Sequence, residues 1–267
     1  MQKIPEEIHR RINNEIYNSD GDRWWHTDFA LNLIRTLYNP FRVGYANKVI
    51  EEINRKNKNE TEVLEVGCGG GILSEEFARL GYRVTGIDPS GSSVRTAKSH
   101  AKENNLSIKY ETGSGEELPF EKNSFDVVLC CDVLEHVNDL PKVISEISRV
   151  LKSGGIFIYD TFNRTYYSKL SAIKILQEWK RWAIMPHHLH VWEMFIKPSE
   201  MRSVLKENQL SWIEHTGIKP NVSNLKMLRF LHQRAIGKLT YEEFGRKFLM
   251  MEGKSMQMSY MGYAIKS

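Results

Sequence analysis

The residues best able to do chemistry fall into two groups. The first is the run Glu65-Val66-Gly67-Cys68-Gly69-Gly70-Gly71. Gly67 and Gly69 allow a tight turn and leave no Cβ to block a ligand approaching the backbone. Asp88 ends the next apolar stretch, with Pro89 beside it. A carboxylate there accepts both hydrogens of a ribose diol, more strongly than a neutral side chain would. Further on, Gly115 and Glu116 lie within Ser114 to Phe120 (SGEELPF), where they could offer acceptors to an adenine amino group. Cys131 ends a fourth apolar run, at the sheet edge where doubly wound folds hold nucleotides. A buried cysteine is equally often a plain small core residue.

Such a loop also serves dinucleotide enzymes, in which a third small residue lets the helix pack closely and face a pyrophosphate. Here Ile72 stands in that place. Glu65, just before the loop, is an awkward neighbour for a diphosphate and a useful one for the cationic methionine end of S-adenosylmethionine. The expected cofactor is therefore S-adenosylmethionine, with S-adenosylhomocysteine as its product. An NAD-dependent oxidoreductase and a non-catalytic donor-binding module are the rivals.

The second group is Asp132, Glu135 and His136. His136 follows the fourth strand, near where a transferred methyl group would lie, and could orient or deprotonate an acceptor hydroxyl. It could equally hydrogen-bond only its own loop. If the strand passes into a helical turn, the i, i+3, i+4 spacing brings all three side chains to one Mg²⁺ or other divalent metal such as Zn²⁺. His187, His188 and His190 sit later, with Trp192 beside them. They read as a lid over the acceptor, and His190 is the second catalytic candidate.

The elements that must position these groups alternate as βαβ units require. Strands are expected at Val63–Val66, Arg83–Asp88, Ser107–Glu111, Asp126–Asp132 and Ile156–Asp160. Helices are expected between them, one stopping near Gly81 and another running from Pro141 to Gly154-Gly155. Beyond Asp160 the pattern breaks: an irregular stretch to Lys197, a helix after Pro198, a strand from Ser211 to Ile218, a Met-rich helical region over 221–255, and a last strand from Met258 to Ile265. The expected fold is α/β: a Rossmann-like, doubly wound, mostly parallel sheet in one methyltransferase domain. An N-terminal helical cap (1–58) precedes the cofactor-binding core (59–162), and two acceptor-side insertions follow (163–198 and 219–256).

Composition agrees. With 41% hydrophobic and 26% charged residues the chain is globular rather than disordered. No apolar run approaches the ~20 residues of a membrane span, and Met1 to Arg11 lacks a signal-peptide core. Three cysteines make no disulfide framework, so a reducing, cytoplasmic setting is expected. The net charge of +4 is too mild for a nucleic-acid binder.

The assembled residues resemble a class I methyltransferase, and more narrowly the O-methyltransferases of ubiquinone biosynthesis. The resemblance rests on Asp22-Arg23-Trp24-Trp25, Asn39-Pro40-Phe41-Arg42-Val43-Gly44-Tyr45, Val63 to Leu73, Leu134-Glu135-His136-Val137, Asn163-Arg164, and His190-Val191-Trp192 with Phe195-Ile196-Lys197-Pro198. It implies O-methylation of a small phenolic, catechol or hydroquinone acceptor, and cofactor contacts at Arg42, Gly67, Asp88 and Cys131. The guanidinium of Arg42 would then clasp the donor's carboxylate as a fork. It also makes a divalent metal plausible. Departures lie at Glu65, where the family has Asp, at Met185 to Leu189, and over 221–255. The last two fall where the acceptor should bind, so a specialised small-molecule methyltransferase with another O-, N- or C-acceptor is the nearer rival. Residues 168–184 are expected as a basic amphipathic helix, with Leu170, Ile173, Ile175, Leu176, Trp179 and Trp182 on one broad side flanked by lysines and Arg181, suited to peripheral membrane contact or to a pocket wall. The sequence is silent on oligomeric state.

Overall fold

The computed structural model describes residues 5–267, so Met1 to Ile4 of the expected polar N-terminus lie outside it. Eight strands form one sheet: β1 (Glu62–Val66), β2 (Arg83–Asp88), β3 (Lys109–Thr112), β4 (Phe125–Cys131), β5 (Leu151–Phe162), β6 (Leu210–Pro220), β7 (Met250–Gly253) and β8 (Ser259–Lys266). Their order is β3-β2-β1-β4-β5-β8-β6-β7. The first five pair in parallel. β8 runs antiparallel between β5 and β6, and β7 lies antiparallel on the outer edge of β6. The order reverses between β1 and β4, which opens a crevice at their carboxyl ends.

The period-2 alternation of the strands divides the core. Val63, Val127, Leu129 and Ile158 face one layer with Ile50 and Phe77. Leu64, Val128, Phe157 and Tyr159 face the other with Val143, Ile147 and Leu205. Strands covered on both faces need no polar side, which explains their continuous apolar runs. Helix starts are chemically marked. Ser90 accepts from the Ser93 amide to cap Gly91–Glu103, and Asp139 accepts from the Lys142 amide to cap Leu140–Val150.

Three expectations need correction. The helix ends at Val150 rather than at Gly154-Gly155, because β5 begins at Leu151 and runs the glycines through as strand. Residues 168–184 do not form one amphipathic helix; Lys169–Glu178 is a π-helix followed by an irregular turn. Its i→i+5 bonding widens each turn, so a stripe reckoned at 3.6 residues per turn disperses. Ile173 is accordingly buried while Leu170 and Trp179 are exposed. The Met-rich region is helical only over Asn224–Ala235 and Tyr241–Gly245, and its end supplies strand β7. Among the described residues no helix is long and apolar enough to cross a membrane.

Candidate functional site

A cavity of about 700 Å³ opens over the carboxyl ends of β1, β2 and β4. The N-terminal segment roofs one side, through Tyr17, Trp24 and Leu31. The later insertions close the other, through Ile175, Leu176 and Met185 and through Leu231, Phe244 and Phe248. Arg42, Glu65, Gly67, Gly69, Asp88, Pro89, Gly115, Glu116, Cys131, His136 and His190 all line it, so the fold brings every expected cofactor residue to one cavity.

The glycine loop is tight for stated reasons. Gly67 and Gly69 take φ of 76° and 50°, a left-handed region costly to residues with a Cβ. A Cβ on Gly67 would collide with Val133, and one on Gly69 would stand 2.6 Å from the Trp24 ring. Trp24 itself donates to Ser93 Oγ at 2.8 Å, and Trp25 donates to the Gly70 carbonyl at 3.0 Å. The paired tryptophans thus fasten the cap to the loop.

Asp88 Oδ2 accepts from the Gly69 amide and Oδ1 from the Ser90 amide, both at 2.8 Å. Each oxygen keeps a further lone pair for a ligand. Burial raises its pKa, against those two hydrogen bonds. Glu65 accepts from Ser74 Oγ, and burial pushes its pKa up to about 8 against that hydrogen bond. Glu116 accepts from Ser114 Oγ and, at 3.1 Å, from the Asn138 amide, which ties the SGEELPF loop to the turn after β4.

Arg42 stands differently from the expectation. It is 2% exposed, and its Nε and one Nη donate to the two Asp160 oxygens at 2.5 and 3.0 Å. The same Nη lies 2.5 Å from Asp132. The fork that was to clasp the donor's carboxylate is therefore held by the protein's own acids, although Arg42 still borders the cavity.

The expected metal trio is likewise not assembled. β4 ends at Cys131, and Asp132 adopts φ of 54° instead of entering a helical turn. That left-handed residue swings its carboxylate to Arg42, while Asp132 N donates to Asp160 at 2.9 Å. Glu135 and His136 instead meet His190, each with one potential ligand atom within 4.8 Å of the others. Glu135 accepts from Thr161 Oγ1 at 2.9 Å, and burial raises its pKa.

His136 and His190 are buried, with ring centroids 5.0 Å apart. Burial drives both down to about 3, with His190 adding to the effect on His136, so both rings are neutral at physiological pH. Gln177 grips the His190 backbone through both its amide and its carbonyl, at 2.8 and 3.0 Å. Among the described residues the Nδ1 of His190 has no hydrogen-bond partner. His187 and His188 are exposed, their rings pair with each other, and neither lines the cavity, so the three-histidine cluster contributes one member to the site. Sequence reasoning missed Asn14 and Tyr17. Asn14 hydrogen-bonds His136, and the Tyr17 ring meets its edge at 5.8 Å. Nothing in their local pattern marks them.

The arrangement brings a tight glycine turn, a buried carboxylate and a neutral histidine to one cavity. Residues 64–159 match the family described as a methyltransferase domain. A ubiquinone biosynthesis O-methyltransferase of Pelagibacter ubique is 36% identical over 213 residues, covering 78% of this chain and 87% of that protein. One from Colwellia psychrerythraea is 38% identical over 207 residues, covering 75% and 83%. Among solved structures, the magnesium protoporphyrin IX methyltransferase of Synechocystis PCC 6803, with S-adenosylhomocysteine bound, superposes with a TM-score of 0.62 at 20% identity over 95% of this chain and 97% of that one.

Proposed function

Since this chain belongs to the ubiquinone biosynthesis O-methyltransferase family and is an S-adenosylmethionine-dependent O-methyltransferase, we propose that its acceptor is an uncharged phenol, catechol or hydroquinone with an apolar tail. The observation that carries this reading is the character of the cavity wall. Among the described residues Glu15, Glu65, Asp88, Glu116 and Asp132 line it against a single arginine, Arg42, whose fork is already engaged. A carboxylate on the acceptor would find no cation there, and an unpaired buried charge is expensive. Beyond His136 the wall is apolar, through Met227, Leu231, Phe244, Phe248 and Met250, which suits a hydrocarbon tail.

In this reading Asp88 holds the ribose, and the turn at Gly67 and Gly69, with no Cβ in the way, leaves room beside the backbone for the methionine end. Gly115 and Glu116 border the adenine, and Cys131 and Pro89 pack against it. The acceptor oxygen attacks the methyl carbon in line with the departing sulfur: the O–C bond forms, the C–S bond breaks, and S-adenosylhomocysteine leaves. Holding donor and acceptor side by side in one cavity aligns the reacting atoms. His136 accepts the phenolic proton through a ring nitrogen. A weak base suffices, because the hydroxyl becomes strongly acidic as its oxygen gains the methyl group. His190 packs against His136 and completes the wall beside the reacting oxygen. The test is turnover of His136→Gln with cofactor affinity measured alongside: a large fall in kcat with unchanged S-adenosylhomocysteine binding supports the role, and undiminished kcat refutes it.

A second reading is favoured by the meeting of Glu135, His136 and His190 and by the unpartnered Nδ1 of His190. These three would hold a divalent ion, which supplies polarisation of the acceptor hydroxyl when bound. One carboxylate with two neutral imidazoles fits Zn²⁺ or Mn²⁺ better than Mg²⁺, which prefers oxygen ligands. Activity lost on chelation and restored by one of these ions supports it; activity indifferent to chelation excludes it.

Exposed Tyr166, Tyr167, Leu170 and Trp179 lie among Lys169, Lys180 and Arg181, and Tyr167 also borders the cavity. This edge would rest on an anionic bilayer and admit a tailed acceptor directly. Flotation with phosphatidylglycerol vesicles, lost in a Tyr166→Ser/Leu170→Ser double variant, is the expected result.

A further inference from the structure

We infer that Asn14 is a positioning residue that fixes the tautomer of His136. Two contacts join them: Asn14 Nδ2 lies 3.1 Å from the His136 carbonyl oxygen, and Asn14 Oδ1 lies 3.2 Å from His136 Nδ1. The first contact decides which end of the amide is which. A carbonyl oxygen only accepts, so the atom facing it is the NH₂ group. The atom facing the ring is then the amide oxygen, which also only accepts. Nδ1 of His136 must therefore carry the proton. In that tautomer the ring keeps its lone pair on Nε2.

This matters because free histidine favours the opposite tautomer, with its proton on Nε2. A ring in that form would present a donor, not an acceptor, to the cavity that His136 lines. It could not take a phenolic proton through Nε2. Asn14 thus imposes on the ring the form that the reaction uses, through one side chain that reads both the backbone and the ring of His136. The inference rests on the reading of His136 as the proton acceptor.

The segment carrying Asn14 is itself placed from both sides of the cavity. The amide of Asn13 donates to the His188 carbonyl at 2.8 Å, in the loop that leads to His190. Ile16 is buried beside Trp24 and Leu189. The Tyr17 ring stands edge-on to His136 and closes the remaining side. Asn14 reaches His136 only while the N-terminal segment and the 185–190 loop sit together over the site. Asn14 is exposed and borders the cavity, so solvent competes for both hydrogen bonds.

The experiment is long-range ¹H–¹⁵N correlation of the histidine rings in the full chain with S-adenosylhomocysteine bound. His136→Gln assigns the signal, and methyl transfer to a catechol is measured in parallel. Wild type is expected to show His136 with Nδ1 protonated and Nε2 unprotonated. Asn14→Leu is expected to lose that pattern and to drop kcat roughly 10- to 100-fold, the usual scale for losing an outer orienting partner, with cofactor binding retained. Asn14→Asp keeps an acceptor toward Nδ1, so it should keep the tautomer and most of the turnover. That variant also carries the test should Asn14→Leu fail to fold. An Nε2-protonated His136 in wild type or in Asn14→Asp overturns the inference, as does an Asn14→Leu protein with unchanged spectrum and kcat. Full activity in His136→Gln would instead defeat the proton-acceptor reading, while the spectra would still score the tautomer by themselves.

Discussion

Replacing Arg42 with methionine separates two roles that the sequence cannot distinguish. As a pure cofactor ligand, its loss would weaken donor binding and leave the empty protein intact. The structure instead makes it the counter-charge of Asp160, both side chains being 2% exposed, with Asp132 as a second partner 22% exposed. Removing one member of a buried ion pair leaves an uncompensated charge, and the loss is about 3–5 kcal/mol. Asp132 adds little to that sum, because a partly exposed carboxylate is screened by water. At about 2–4 °C per kcal/mol for a chain of this size, Tm should fall by about 6–20 °C. Arg42→Lys should fall between wild type and Arg42→Met, since one ammonium cannot reproduce the two-point grip on Asp160. The assay is urea and thermal unfolding of the cofactor-free protein, followed by tryptophan fluorescence. A loss below about 1 kcal/mol, the scale of a surface pair, would refute the reasoning and return Arg42 to the donor's carboxylate.

Other consequences follow from the same geometry. Asp88→Ala removes a carboxylate that also orders the Gly69 and Ser90 amides; calorimetry should show S-adenosylhomocysteine affinity falling roughly 10- to 150-fold, the value of one charged hydrogen bond or more. Gly69→Ala meets both a left-handed φ, worth roughly 1–2 kcal/mol, and the Trp24 ring at 2.6 Å, so cofactor binding should weaken even though the added group is only a methyl. His190 is held down to about 3 by burial and titrates near 6.5 when unfolded. The unfolded chain therefore binds more protons between those values, and the stabilising contribution present above pH 6.5 is lost as pH falls through that window. His190→Phe cannot charge, and should lose less stability than wild type between about pH 7 and about pH 5. An equal loss in denaturant titrations at the two pH values would show that His190 is solvated.

The core was legible because its signals are local. β2 occupies Arg83–Asp88, as its apolar run foretells, and β1, β4 and β8 fall within a residue or so of expectation. The glycine loop and Asp88 could be read together because a tight turn and a terminal carboxylate each leave a mark in residue type. The failures were non-local. The i, i+3, i+4 spacing points Asp132 toward a metal, but spacing says nothing about which carboxylate a buried arginine will capture. The 168–184 stripe was reckoned with the wrong helical period, and Met250–Gly253 becomes a strand only because the edge of β6 is there to receive it. Asn14 could not be found at all, since its role depends on a contact across more than a hundred residues.

The most direct test of the central claim is an acceptor pair assayed side by side with S-adenosylmethionine: a catechol carrying an isoprenoid tail, and the same molecule with an added carboxylate. The account predicts a single methyl ether on the uncharged catechol, formed much faster than on its acidic counterpart. Methylation on the carboxylate, on carbon or on nitrogen, or preference for the charged partner, would contradict it.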